Sequence, residues 1–289
     1  MPRPAILNFH LAATKREQAA SGEGIFALIV KAVQQAGWQV ILRDKDDPVV
    51  GDGFHIVYNT AVLEPHCLCL RRCYMNPFWR LETSNYRWDW DVAAKTFPGG
   101  SGKEWFPNRW RSRLFGDTLI QPGDHIFMPL QGKLLEHRHF QSQSPMDMIA
   151  TTLAADPTRQ IIATLHPRET YSPRELEMLA GFGARFTLSD RPSIDLLAGC
   201  AYVVTENSAM ALTGFFAKKP AVLFAEIDFH HIAGSVPHLG VAKAFATILD
   251  PKPYAAYLHW FFKAQAMSAI DENATARIQT RLREHGWPI

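Results

Sequence analysis

In the second half of the chain, short strand-like runs alternate with segments of helical spacing. The runs cover residues 124–130, 160–165, 184–188, 202–205 and 220–224, and each leaves into a polar or turn-forming residue. They recur at intervals of about 35 residues or fewer, the pattern of repeated βα units. Neighbouring parallel strands cannot be joined by a tight hairpin, so this alternation dictates a parallel sheet covered by helices. The helix starts are marked. Ser144 caps and Pro145 takes the first helical position. Ser172-Pro173-Arg174-Glu175 reads as a capping box. Pro192 opens a third helix, and Asn207-Ser208 opens a fourth over 209–217.

The first half begins in the same way. Residues 5–9 read as a buried strand, followed by a loop holding Gly22, Glu23 and Gly24. Helical spacing then runs from 25 to 36 and stops at Gly37, and strands follow at 38–42 and 55–58. Residues 84–113 are poor in regular pattern and carry Pro98-Gly99-Gly100 and Gly102, which predicts a long loop with short embedded helices. The tail over 253–285 is helical in character, and Trp260, Phe261 and Phe262 imply that it packs. The expected fold is α/β, with two Rossmann-like domains built on parallel sheets and a C-terminal helical tail. The expected divisions are 1–116, 117–252 and 253–289.

Composition narrows the function. Hydrophobic residues make up 47% of the 289, enough for a sizeable core, and the net charge of +2 gives no electrostatic case for nucleic acid as the main partner. Basic and aromatic residues are nevertheless interleaved over 71–113, from Arg71, Tyr74 and Arg80 to Trp105, Arg109 and Trp110. This stretch has two readings: a surface for an anionic or sugar-like ligand, or ordinary surface with buried tryptophans. The spacing of Cys67, Cys69 and Cys73 beside His66 does not fit a usual zinc pair, so no metal is expected. Alternating Cys67 and Cys69 suggest one face of a strand. Residues 1–4 carry no apolar leader, and no run approaches 18 apolar residues. A cytoplasmic protein with reduced thiols is expected, its basic stretch leaving contact with the inner membrane face open.

In a parallel α/β sheet, ligands bind beyond the carboxyl ends of the strands. Four exits in the second half are polar: Gln131, His166-Pro167, Glu206-Asn207-Ser208 and Glu226. The Asn207-Ser208 turn opens a helix, whose free N–H groups and partial positive charge suit a phosphate; the alternative is a plain N-cap. His166 at a strand end can donate to a phosphate or act as an acid on a leaving nucleotide. Neither a Walker lysine signature nor a G-x-G-x-x-G is present, which disfavours a nucleoside triphosphatase or a common dinucleotide enzyme.

The stretches IIATLHPRE (161–169) and DLLAGCAYVVTENSAMALTGFFAKKPAVLFAE (195–226), with IFMPLQ (126–131), resemble the C-terminal half of capsular-polysaccharide glycosyltransferases, and among them those that transfer Kdo. Bacterial sialyltransferases that use a CMP-sugar show a similar His-Pro and Ser pair. The resemblance covers about 100 residues. It implies a GT-B fold with the active site between two domains, no required metal and no cofactor. It also implies a nucleotide-sugar donor, CMP-Kdo favoured, and a saccharide or lipid-linked saccharide acceptor. His166 with Pro167 would contact the nucleotide, Asn207 and Ser208 would hold its phosphate, and Gln131 would line the cleft. Two departures stand out. Ala211-Leu212-Thr213 replaces a family glutamate in the helix, a place that Glu206 or Glu226 would have to fill. An aspartate usual after PLQ gives way to a segment holding Glu136, His137 and His139.

An inverting transfer needs a base for the acceptor hydroxyl. The resemblance implies that it comes from the first domain. His10, at the exit of the first strand, and Glu23, before Gly24, are the candidates. Related CMP-sugar enzymes use an acidic residue before glycine, which favours Glu23. Other functions weighed against transfer are a non-catalytic nucleotide- or glycan-binding relative, a sugar epimerase of similar fold, and a nucleic-acid binder using residues 71–113.

Overall fold

The structure, a computed structural model, describes residues 5–289 apart from Asp52 and Leu63. Residues 1–4, read above for targeting character, lie outside the described residues. The chain folds as two compact units, one running up to Ala94 and taking in Phe261–Ile289, the other Lys95–Trp260. In chain order the strands are β1 (Ile6–Leu11), β2 (Gln39–Asp44), β3 (Phe54–Tyr58), β4 (Cys67–Arg72), β5 (Phe78–Glu82), β6 (His125–Pro129), β7 (Ile161–Thr164), β8 (Phe186–Leu188), β9 (Cys200–Thr205), β10 (Ala221–Leu223), β11 (Gly234–Ser235) and β12 (Met267–Ser268).

The first unit carries a six-stranded sheet in the order β12-β5-β4-β3-β1-β2. Its β2-β1-β3-β4 part is parallel, as the strand–helix–strand opening requires. β5 and β12 add an antiparallel edge. Alternation on β1 explains the packing. Leu7, Phe9 and Leu11 point to one face and are fully buried against the helix Gly24–Gln35, which presents Ile25, Phe26, Ile29, Ala32 and Val33 at helical spacing. The terminal helix Ala274–Glu284 adds Ile278 and Leu282 to the same core, and Trp287 stacks on Trp38. Each fully buried Leu, Ile or Phe contributes about 1.5–3 kcal/mol.

The loop expected after β1 contains a helix, Ala13–Ser21, of which Ala19 alone is buried. Cys67 and Cys69 do lie in a strand, but all of 67–70 is buried, so both faces are covered. Burial also pushes the Cys67 thiol up to about 12, which keeps it protonated.

The basic and aromatic stretch turns inward over its first part. Arg80 is buried and pairs with Glu82 at 2.9 Å and Asp91 at 3.2 Å. The Arg87 guanidinium lies 3.9 Å from the Tyr74 ring centre and 4.7 Å from that of Trp90. Trp79, Trp90 and Trp110 are buried. The buried tryptophans of the ordinary reading are found at these positions, while Trp105 is 51% exposed.

The second unit holds a six-stranded sheet in the order β11-β10-β9-β6-β7-β8, parallel throughout. The sequence-marked helix starts form as expected. Ser144 accepts the Asp147 N–H, and Ser172 and Glu175 close a complete capping box. The helix Trp105–Phe115 arises inside the expected 84–113 loop. Phe106 packs there on Phe216 and His259, which draws 105–115 and Tyr254–His259 into the second unit. The division expected at 116/117 falls within the second unit, and the tail expected from 253 is shared between the two units. Among the described residues, no helix is long and apolar enough to cross a membrane.

Candidate functional site

The second sheet reverses its order at β6. The chain passes from β6 outward to β7 and β8, then returns to β9 on the other side of β6 and proceeds to β10 and β11. Such a reversal opens a crevice beyond the carboxyl ends of the two diverging strands. Here those strands are β6 and β9, and Gln131 and Glu206-Asn207-Ser208 follow them. The Gln131 amide nitrogen donates to the Asn207 side-chain oxygen at 3.0 Å across the reversal. Beneath them the Thr205 hydroxyl donates to the Pro129 carbonyl at 2.9 Å. Asn207 in turn reaches the Glu226 carbonyl at 3.5 Å, joining the β10 exit to the rim.

The β7 exit closes the other side. A Cβ at Gly132 would stand 2.2 Å from Oε2 of Glu169, so glycine there lets the β6 and β7 exit loops approach closely. The His166 backbone N–H donates to the Tyr171 hydroxyl at 2.8 Å. Nδ1 of His166 accepts the Arg168 N–H at 3.2 Å. A neutral ring that accepts at Nδ1 carries its proton on Nε2, so His166 presents a donor. His166 and Pro167 are both exposed. The four polar exits follow strands of one parallel sheet, and hydrogen bonds join those of β6, β9 and β10.

Ser208 is the N-cap of the helix Ala209–Phe216, and its oxygen accepts the Met210 N–H at 3.3 Å. Capping uses the oxygen as an acceptor and leaves the hydroxyl proton to donate, so the cap and the phosphate ligand are compatible roles. Glu206 is 1% exposed. One of its oxygens meets Nη2 of Arg138 at 3.4 Å, and the other, Oε2, has no hydrogen-bond partner. Burial pushes the Glu206 carboxyl up to about 7, against the pull of Arg138. Arg138 and Tyr171 are members of the rim that the sequence reading missed. Arg138 stands between His137 and His139, which were marked, but nothing local to that polar run sets it apart.

The two candidates for the base lie in the first unit and differ in access. His10 is not beyond the end of β1 but within it, 2% exposed, with Nε2 3.1 Å from Nδ1 of His55. Glu23 is exposed immediately before the helix Gly24–Gln35 and makes no capping bond with its side chain.

The architecture so far is that of an α/β chain of two Rossmann-like halves, GT-B-like, with a polar rim at the switch point of the second. No family model matches the sequence. No curated protein matches it either. Among solved structures, the fold is similar to that of Thermosulfurimonas dismutans KpsC, a beta Kdo 2,7 transferase, with a TM-score of 0.53 and 12% identity over 97% of this chain and 99% of that one. The T. dismutans KpsC beta Kdo 2,4 transferase aligns over 86% of this chain and 88% of its own, at TM-score 0.48 and 10% identity. Methanocaldococcus jannaschii UDP-GlcNAc 2-epimerase, in complex with UDP-GlcNAc and UDP, aligns over 97% and 100% at TM-score 0.35 and 8% identity.

Proposed function

We propose that this chain is a glycosyltransferase that moves a sugar from a nucleotide-activated donor, a CMP-sugar such as CMP-Kdo favoured, to a saccharide or lipid-linked saccharide acceptor. The observation that carries this reading is the Gln131–Asn207 bond at the switch point of a parallel sheet, with Ser208 capping the helix that follows and His166 at the exit of the neighbouring β7. The resemblance of 126–131, 161–169 and 195–226 to Kdo-type transferases and the fold shared with a Kdo transferase support the same reading. In it, the donor phosphate sits at the start of the helix Ala209–Phe216, with the Ser208 hydroxyl and the His166 Nε2–H as donors. The acceptor oxygen attacks the anomeric carbon, the bond from that carbon to the phosphate oxygen breaks, and the phosphate leaves with the electron pair. A base takes the acceptor proton. We assign that role to Glu23, because its exposed carboxylate is free to meet a substrate whereas His10 is enclosed.

The test is a thermal-shift screen of the wild-type chain, His166→Ala and Ser208→Ala against CMP, CDP, UDP, GDP and ADP. A ligand at a hundred times its Kd stabilises the native state by about 2.7 kcal/mol. The reading expects a shift with one nucleotide that both variants lose. A chain that none of the five stabilises is not a nucleotide-sugar transferase. A second reading, a binding relative without turnover, is favoured by Ala211-Leu212-Thr213 standing where the resembled family carries a glutamate. Nucleotide binding without transfer or hydrolysis of any CMP-sugar would select it.

A further inference from the structure

The loop over 131–142 is tied down on both sides of the rim. Gln131 bonds Asn207, Gln141 forms an antiparallel bridge with Ala225, and the Ser142 N–H donates to the Phe224 carbonyl at 2.7 Å. This anchoring holds Arg138 over the Phe140 ring, 4.9 Å from its centre, and beside Glu206. The Arg138–Glu206 pair is a poor structural ion pair. It rests on one contact at 3.4 Å, whereas a charge-assisted bond settles at about 2.7–2.9 Å and an Arg–carboxylate pair is often bidentate. Nε of Arg138 and Oε2 of Glu206 are both buried without a partner. The guanidinium fork matches a phosphate, and Glu206 immediately precedes the Asn207-Ser208 turn where the phosphate is placed.

We propose that Arg138 is a phosphate-binding residue of this rim, held by Glu206 in the free protein and handed to the donor phosphate on binding, while Glu206 takes up a proton from solvent. The inference rests on the donor-site reading above and adds a residue and a proton to it. The charges around Glu206 favour the exchange. Arg138 is the cation that faces it from the loop, and Tyr171, whose hydroxyl is pushed up by burial and by the charges of Glu169, Glu175 and Glu206, faces it from the β7 exit. Burial already brings the Glu206 carboxyl up to about 7 with Arg138 in place. Moving Arg138 onto a phosphate, singly charged in a CMP-sugar and doubly charged in CMP, takes away the favourable charge and adds an unfavourable one, and both changes drive protonation.

The sign is therefore fixed. The Glu206 factor in the affinity is constant while Glu206 is protonated in the free protein, and falls as pH rises above about 7. At pH 8, where the nucleotide phosphate is fully ionised, Glu206→Gln removes the need for the proton and should bind CMP about tenfold more tightly than wild type. The two should bind alike at pH 6. A residue that merely props the rim would weaken binding when changed. Arg138→Gln should lose about ten- to a hundredfold in affinity, with Arg138→Lys recovering part of it.

The experiment is calorimetric titration with CMP, and separately with inorganic phosphate, at pH 8 in two buffers of different ionisation heat. Proton uptake by wild type that Glu206→Gln abolishes, with weakened binding in Arg138→Gln, bears the inference out. CMP binding that is equal in wild type and Arg138→Gln, without proton uptake, overturns it and leaves the donor site standing. Phosphate binding that depends on Arg138, with CMP bound no more tightly than phosphate, keeps the inference and removes the CMP-sugar reading. Absence of binding to either probe overturns both.

Discussion

Gln131 and Asn207, 76 residues apart in the chain, meet side chain to side chain at 3.0 Å across the point where the second sheet reverses its order. The bond links the exits of β6 and β9, so it measures whether the rim is formed. Gln131→Ala and Asn207→Ala should each destabilise by about 0.5–1.5 kcal/mol, and the double variant should cost less than their sum. Urea unfolding of the four proteins gives the coupling. Strict additivity would mean that the two amides do not hold the rim together.

Asp156 ends the helix Pro145–Ala155 and accepts from Arg159, Thr158 and the Tyr202 hydroxyl, the last at 3.0 Å. Burial works against its charge, but the bonds from Arg159, Tyr202 and Thr158 outweigh burial and hold the carboxyl well below the usual range. Its contribution is present above the unfolded value of about 3.9 and is lost as pH falls towards the lower folded value. Asp156→Asn should destabilise by about 1.5–3 kcal/mol at pH 7. The gap to wild type should stay level down to about pH 5 and narrow below pH 4. Denaturation curves in which the gap stays level through pH 3 would remove the charge from the account.

His10 and His55 bond ring to ring at 3.1 Å, which requires one nitrogen to donate and the other to accept. Burial lowers both, and His55 is lowered further by the charge of His10. Asp44 and Asp47 favour a proton on His10 ahead of the opposing charge of Arg43, and on His55 Arg43 outweighs Glu64, but burial dominates at both rings. A histidine kept neutral in the native state loses stability as pH falls below its unfolded value of about 6.5, because the unfolded chain binds the proton first. The double variant His10→Leu/His55→Leu, which removes both polar partners, should flatten the fall in stability between pH 7 and pH 5 relative to wild type. An equal slope in both proteins would show that the pair does not titrate as a buried unit.

How much of this was legible in the sequence depends on where each signal resides. The strands of the second unit could be read because runs such as 160–165 and 202–205 are apolar and bounded by caps, and the four exits follow from them. β5 could not, because Arg80 and Glu82 interrupt its apolar run, although both are 1% exposed: Arg80 pairs with Glu82, and Glu82 pairs with Arg281 as well. Only the folded chain brings Arg281 to them. The helix Ala13–Ser21 buries Ala19 alone and so has no apolar stripe to detect. β12 is two residues long and is defined by its pairing with Phe78 and Trp79. Arg138 belongs to the same class: its meaning lies in Glu206, 68 residues further on.

Arg281 supplies the sharpest test of the first unit. Its guanidinium bonds Glu82 at 3.0 Å, Asp91 at 2.6 Å and the Leu81 carbonyl at 3.1 Å, fastening the terminal helix Ala274–Glu284 to β5. Burial pushes the Glu82 carboxyl up even with Arg80 and Arg281 beside it. Removing one partner of such a cluster leaves a buried charge uncompensated and costs about 3–5 kcal/mol, whereas removing charge on both sides costs less. Arg281→Met should therefore be severely destabilising, and Glu82→Gln/Arg281→Met should be less so than the sum of its parts. Hydrogen exchange should locate the effect, with protection lost first over 274–284 and in β5. A loss under about 1 kcal/mol in Arg281→Met would mean that Ile278 and Leu282 hold the helix by packing alone and that the ion cluster is incidental.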